Sequence, residues 1–132
     1  DVESGRERRS WPAHKGKALA LAISPRGDRI ASGGADRLIR VWDPGSEEAP
    51  RSFPAGESPV RGLAFLPDGV TLVSVGEDGA LRLWDSAAGE DPVRRDARRF
   101  GVSALAVSPD GPRALSGGGD RRLGVWAVAG GR

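Results

Sequence analysis

Apolar residues in this chain come in short runs, and the runs recur in a fixed order. Each unit opens with an apolar stretch: Ala18–Ile23, Val60–Phe65 and Val102–Val107. A turn follows, as Ser24-Pro25-Arg26-Gly27, Leu66-Pro67-Asp68-Gly69 and Ser108-Pro109-Asp110-Gly111. Proline presets one turn dihedral and glycine tolerates positive φ, so these tetrads predict tight turns. A second run covers 29–33, 71–75 and 113–117, and a Gly/Asp turn closes it at Gly34-Ala35-Asp36, Gly76-Glu77-Asp78-Gly79 and Gly118-Gly119-Asp120. The third run ends on an indole, as in Leu38–Trp42. Leu81-Arg82-Leu83-Trp84 alternates with period two, the mark of a strand with one buried face. A weaker fourth run lies at 51–55, in register with 9–13 and 93–97. Pro12 and Pro54 cannot donate a ladder hydrogen bond, which puts this strand at a sheet edge. Helical periodicity is absent.

The units repeat at a constant step. Trp42, Trp84 and Trp126 stand 42 residues apart, and Ser32, Ser74 and Ser116 keep the same step. So do Asp36, Asp78 and Asp120, each six residues before its Trp. Such a period marks an array of one supersecondary unit. Four short antiparallel strands per unit predict an all-β fold of radially stacked sheets.

Composition narrows the chemistry. Over 132 residues the net charge is +2 and hydrophobic content is 38 %. A charge this small demands no polyanionic partner. No cysteine is present, so there is no disulfide frame and no thiolate metal site. The lone His14 rules out a poly-histidine site. No apolar run reaches the roughly 20 residues that a membrane helix needs. No metal or cofactor is expected. The glycines at 33–34 and 117–119 precede no helix and no Lys-Ser/Thr, so they are expected to be turn glycines, not a phosphate loop. Arg94, Arg95, Arg98 and Arg99 form the densest basic cluster, with Arg6, Arg8, Arg9, Arg121 and Arg122 elsewhere. The cluster is mixed with Asp91 and Asp96 and has only Phe100 for stacking. It is expected to be a solvated edge and not a nucleic-acid footprint.

Val41-Trp42-Asp43 and Leu83-Trp84-Asp85 resemble the Trp-Asp ends of WD40 repeats. Val125-Trp126-Ala127 keeps the Trp and loses the Asp. The turn Ser108-Pro109-Asp110-Gly111 is typical of that family, whereas its opening Gly-His has decayed to Ala13-His14, Ala55-Gly56 and Ala97-Arg98. The resemblance implies a partial β-propeller of three four-stranded antiparallel blades, the last without its outer strand. Residues 1–13 would supply an outer strand to a preceding repeat, and repeats would cover 14–55, 56–97 and 98–132. Asp1 falls in register with Asp43 and Asp85, which leads to the expectation that the chain is an excerpt of a longer propeller.

His14, Ser32 and Asp36 have the residue types of a nucleophilic triad, but such a triad also needs an exposed, activated serine and an oxyanion hole. The resemblance implies a structural chain instead: His14, Ser32, Asp36 and Trp42 joined by hydrogen bonds. A buried indole N–H needs an acceptor, and Ser and His can relay the bond to a carboxylate. The other copies keep Ser74, Asp78 and Trp84, and Ser116, Asp120 and Trp126, but lack the histidine. Their turns are expected to be held less tightly, by about 1 kcal/mol each.

The resemblance also implies a partner-binding rim beside the turn Asp. By position it comprises Lys17, Leu19 and Ala35; Pro59, Arg61 and Glu77; and Gly101, Ser103 and Gly119. The strands lining a central channel would offer Ala18, Ala20, Ala22, Gly62, Ala64, Ala104 and Ala106, none of them an acid, base or metal ligand. The expected function is a non-catalytic scaffold for a protein or peptide, in a cytoplasmic setting. Neighbouring blades, or copies of the chain joined head to tail, would cover its open edges. The alternative is an accessory or regulatory region of a larger bacterial enzyme such as a protein kinase.

Overall fold

The computed structural model describes residues 3–6, 10, 12–86, 93–96, 101–110, 113–119 and 121–127. Among them the ordered elements are strands. β1 (Ala18–Ile23), β2 (Ile30–Gly34), β3 (Leu38–Trp42) and β4 (Arg51–Pro54) form the first sheet, antiparallel in chain order. β5 (Val60–Phe65), β6 (Thr71–Gly76), β7 (Ala80–Asp85) and β8 (Val93–Asp96) form the second. β9 (Val102–Val107), β10 (Arg113–Gly118) and β11 (Leu123–Ala127) form a three-stranded third sheet. The three sheets are the blades of a partial propeller that is not closed.

Local chemistry sets the strand ends. The Ser24 N–H donates to the Arg29 carbonyl at 2.9 Å, and the Arg29 N–H donates to Ser24 Oγ at 3.0 Å. β2 begins at Ile30, one residue later than the pattern predicts: Thr71 and Arg113 pair with Asp85 and Ala127, but the equivalent Asp43 opens a turn instead, its carbonyl accepting the Ser46 N–H at 3.1 Å and its carboxylate the Gly45 N–H at 2.9 Å. Gly27 and Gly69 sit at φ 73°, where a Cβ would be strained. The Asp68 carboxylate accepts the Val70 and Thr71 N–H groups, both at 2.8 Å, and the Thr71 hydroxyl at 2.6 Å. Burial pushes its pKa up, but these donors outweigh that and leave it below the ordinary carboxylate value.

Each inner strand carries a bulge at its start. Ala18 pairs with Gly34 and Ala20 with Gly33, so Leu19 is the extra residue. Arg61 and Ser103 hold the same place in the next two blades. A bulge bends its strand and re-aims the extra side chain.

The core lies between the blades. Ala31, Ile39, Val41 and Phe53 of the first blade pack with Val60, Leu63, Phe65, Leu72 and Trp84 of the second. Phe53 lies 5.0 Å from Trp84, ring centre to ring centre, tilted by 40°. Val73, Val75, Leu81 and Leu83 of the second blade pack with Val102 and Ala114 of the third, alongside Leu105, Val107 and Trp126.

The alternation Ala20-Leu21-Ala22-Ile23 now has a packing meaning. Ala20 and Ala22 lie in the seam that receives Leu63 and Phe65 of the next blade. A Cβ on Gly62 would lie 3.0 Å from the Leu105 Cβ. Small residues on one inner strand thus make room for large ones on the next. Ala20, Ala22 and Gly62, expected to line a channel, are instead spacers between sheets.

Candidate functional site

The Asp turn of the first blade holds a continuous polar chain. Trp42 Nε1 donates to Ser32 Oγ at 3.1 Å. Ser32 Oγ lies 2.8 Å from His14 Nε2, and His14 Nδ1 lies 2.9 Å from Asp36 Oδ1. With a neutral imidazole the chain's ends decide the direction of every bond in it. Indole nitrogen only donates and carboxylate only accepts. Ser32 therefore accepts from Trp42 and donates to Nε2, and Nδ1 carries the proton that Asp36 receives. The His14 side chain is fully buried. Asp36 also accepts the Leu38 N–H at 3.2 Å and the Lys15 N–H at 3.1 Å. Burial pushes its pKa up, but the Leu38 N–H, the imidazole and the Lys15 N–H hold it below the ordinary value.

Ser32 is buried and already engaged by both neighbours, so this array has the residue types of a hydrolase triad and none of the access. Its geometry ties the segment before β1 to the second strand, the turn and the third strand.

The second blade holds its turn by other means. Trp84 Nε1 donates to Ser74 Oγ at 2.8 Å. Gly56 stands where the repeat places His14, and the space over it is filled by the Arg82 guanidinium, whose Cζ would lie 3.0 Å from an added Cβ. Arg82 Nη2 donates to Asp78 Oδ2 at 2.7 Å. The Asp78 N–H donates to Ser58 Oγ at 3.1 Å. The expected loss of a partner at this turn is therefore made good by an arginine from β7. In the third blade Trp126 Nε1 donates to Ser116 Oγ at 2.8 Å. Asp120 lies outside the described residues.

At Gly33, Gly34, Gly76 and Gly118, though not at Gly117, the glycine serves space and not φ. None of Gly33, Gly34, Gly76, Gly117 and Gly118 has positive φ. A Cβ on Gly34 would lie 2.7 Å from the His14 ring, and one on Gly118 would lie 2.1 Å from the Gly101 carbonyl oxygen. The left-handed position of each turn falls to Arg37 (φ 67°), Gly79 (φ 77°) and Arg121 (φ 63°).

The rim residues gather blade by blade. The Ala35 N–H donates to the Lys17 carbonyl at 2.9 Å, that of Glu77 to Pro59 at 3.4 Å, and that of Gly119 to Gly101 at 3.1 Å. The bulge residues Leu19, Arg61 and Ser103 stand beside these pairs. Lys17, Ala35, Arg61, Glu77, Ser103 and Gly119 are exposed, and Leu19, Pro59 and Gly101 are half-buried. Arg61 and Glu77 form an ion pair, with Nε 2.7 Å from Oε1, so each offers a partner a charge already matched by the other. Gly101 is a point of close approach, since a Cβ there would lie 2.8 Å from the Glu77 carbonyl oxygen.

At the opposite end of the strands a cleft of about 600 Å³ is lined by Arg29, Trp42, Asp43, Glu48, Arg51 and Ser86. Its two arginines face two carboxylates, so it favours neither sign of ligand. No group of three or more His, Cys, Asp or Glu able to hold a metal occurs among the described residues. No helix there is long and apolar enough to cross a membrane. Of the basic cluster, Arg94 and Arg95 lie on the edge strand β8, while Arg98 and Arg99 lie outside the described residues, as do Arg8 and Arg9.

Comparison with known proteins agrees with this architecture. The model of the WD domain, G-beta repeat, matches residues 5–43, 48–85 and 95–127. No curated protein matches the chain. The second match begins ahead of β4 and ends with β7, although β4 belongs to the first sheet, so the repeating unit of sequence is offset by one strand from the blade. WD40 repeats are generally protein-interaction scaffolds and typically non-catalytic. With three tandem matches spanning most of its length, the chain belongs to the WD40-repeat family.

Proposed function

We propose that this chain is a non-catalytic scaffold that holds a protein or peptide on the rim beside its Asp turns. One observation carries the reading: in every blade a bulge and a backbone hydrogen bond bring three residues of the rim together, while the polar chain beneath is spent on structure. Lys17 and Leu19 offer a cation next to an apolar contact. The Arg61–Glu77 pair offers polar contacts of fixed geometry. The third blade, with Gly101, Ser103 and Gly119, offers mostly backbone. Such a surface suits an extended segment with an acidic residue near an apolar one. A few contacts of this kind dominate a typical interface.

Selection from a displayed random-peptide library tests the reading. Peptides are expected to be enriched by the chain and lost together on Lys17→Ala with Leu19→Asp, while the thermal midpoint is unchanged. Absence of enrichment, or enrichment indifferent to those substitutions, overturns it.

A further inference from the structure

The seams between blades repeat with the sequence. In the first, Ala31, Ile39 and Val41 meet Leu63, Phe65 and Trp84. A step of 42 residues converts these into Val73, Leu81 and Leu83 meeting Leu105, Val107 and Trp126, which is the second seam. One more step forward gives Leu115, Leu123 and Val125. One step back from the receiving side gives Leu21, Ile23 and Trp42. These are the two halves of a third seam, and they lie at opposite ends of the arc.

The aliphatic residues of both halves are exposed. Leu21 and Ile23 are 70 % and 67 % exposed, and Leu123 and Val125 are 81 % and 66 % exposed. Their counterparts in the middle blade, Leu63, Phe65, Leu81 and Leu83, are all buried. Each of these faces carries an apolar groove. One of about 430 Å³ runs along Leu21, Ile23, Ile30 and Trp42, and one of about 440 Å³ along Val107, Leu115 and Val125. Contiguous apolar surface of this kind marks a place of association.

We infer that the two faces are partners, and that the chain joins head to tail with a second copy of itself. The fit follows from the seams already formed. Leu63 and Phe65 sit over Ala20 and Ala22. Leu21 and Ile23 would sit in the same way over the exposed Ala104 and Ala106 of the second copy. The contact is heterologous: one end always meets the other end, never itself.

That asymmetry makes the test sharp. Leu21→Asp disables one end and Leu123→Asp the other, and both sites are solvent-exposed, so neither substitution disturbs the fold. By analytical ultracentrifugation the unsubstituted chain is expected to run heavier than one chain. Each variant alone is expected at single-chain mass. The two variants mixed are expected to form a one-to-one complex, through the one intact pair of ends. An unsubstituted chain that stays at single-chain mass at the highest concentration reached overturns the inference. So does self-association of either variant alone, which would mean that like faces pair. Retained strand circular dichroism in both variants confirms that a loss of association is not a loss of folding.

Discussion

Arg82 lies in the space that Gly56 leaves empty, and from there it reaches Asp78 at 2.7 Å. The first blade solves the same problem with His14 and Asp36. Gly56 also sits at φ 139°, so a side chain there is strained as well as obstructed. Gly56→Ala is expected to cost about 1–2 kcal/mol and to displace the guanidinium. Arg82→Ala is expected to cost about 1 kcal/mol, since the pair is mostly shielded from solvent. Because the first change already undoes part of what the second removes, the double variant should lose less than the sum. Urea unfolding of all four forms measures the coupling.

Removing the imidazole should be felt at both of its ends. His14→Ala leaves the Ser32 hydroxyl and one side of Asp36 without their buried partner, at a cost of about 2 kcal/mol. Chemical denaturation gives the loss. In the unsubstituted chain, nitrogen NMR should find the His14 proton on Nδ1.

Asp36 ties this network to acidity. Its folded pKa lies below its unfolded value, so the stabilisation is complete above the unfolded value of roughly 4 and drains away as pH falls through the folded value. Asp36→Asn should flatten the acid limb of a plot of urea midpoint against pH. Asp68, also depressed, leaves a residual slope in both proteins.

The seam between the first two blades has no slack at Gly33. A Cβ there would lie 2.4 Å from Val60 Cγ1. Gly33→Ala should cost about 1–3 kcal/mol through overpacking. Val60→Ala in the same chain should restore part of it, and thermal melts of the single and double variants would show whether it does.

Arg37 and Gly79 hold equivalent left-handed turn positions, and only one of them is glycine. Arg37→Gly is expected to stabilise the chain by about 0.5–1 kcal/mol, and Gly79→Arg to destabilise it by more than that, since Gly79 is buried where Arg37 is exposed. The signs of the two shifts in thermal midpoint decide the matter.

The strands were legible because turn residues and apolar runs are local signals. Leu38–Trp42 and Val60–Phe65 needed only their own neighbours. β2 slipped by one residue because Asp43, which would pair with Arg29, opens a turn instead, a choice that no alternation reveals. The polar chain around His14 was legible from the repeat and the resemblance together. Arg82 was not, because its role depends on a side chain that Gly56 lacks across the sheet. Ala20 and Gly62 were misplaced for a related reason: their smallness answers the width of a neighbouring sheet, and width is not written in one strand. Gly33, expected to be a turn glycine, lies inside β2 without positive φ, because its smallness answers Val60 of the next blade.

The one-strand offset between repeat and blade has a mechanical consequence. To part the first unit from the second, a load must strip Arg51–Pro54 from Leu38–Trp42, breaking a row of backbone hydrogen bonds one after another. Oily surfaces alone could slide past each other; a laced edge must be unpicked. Under tension, whole blades should therefore fail in sequence, each giving its own discrete step of extension.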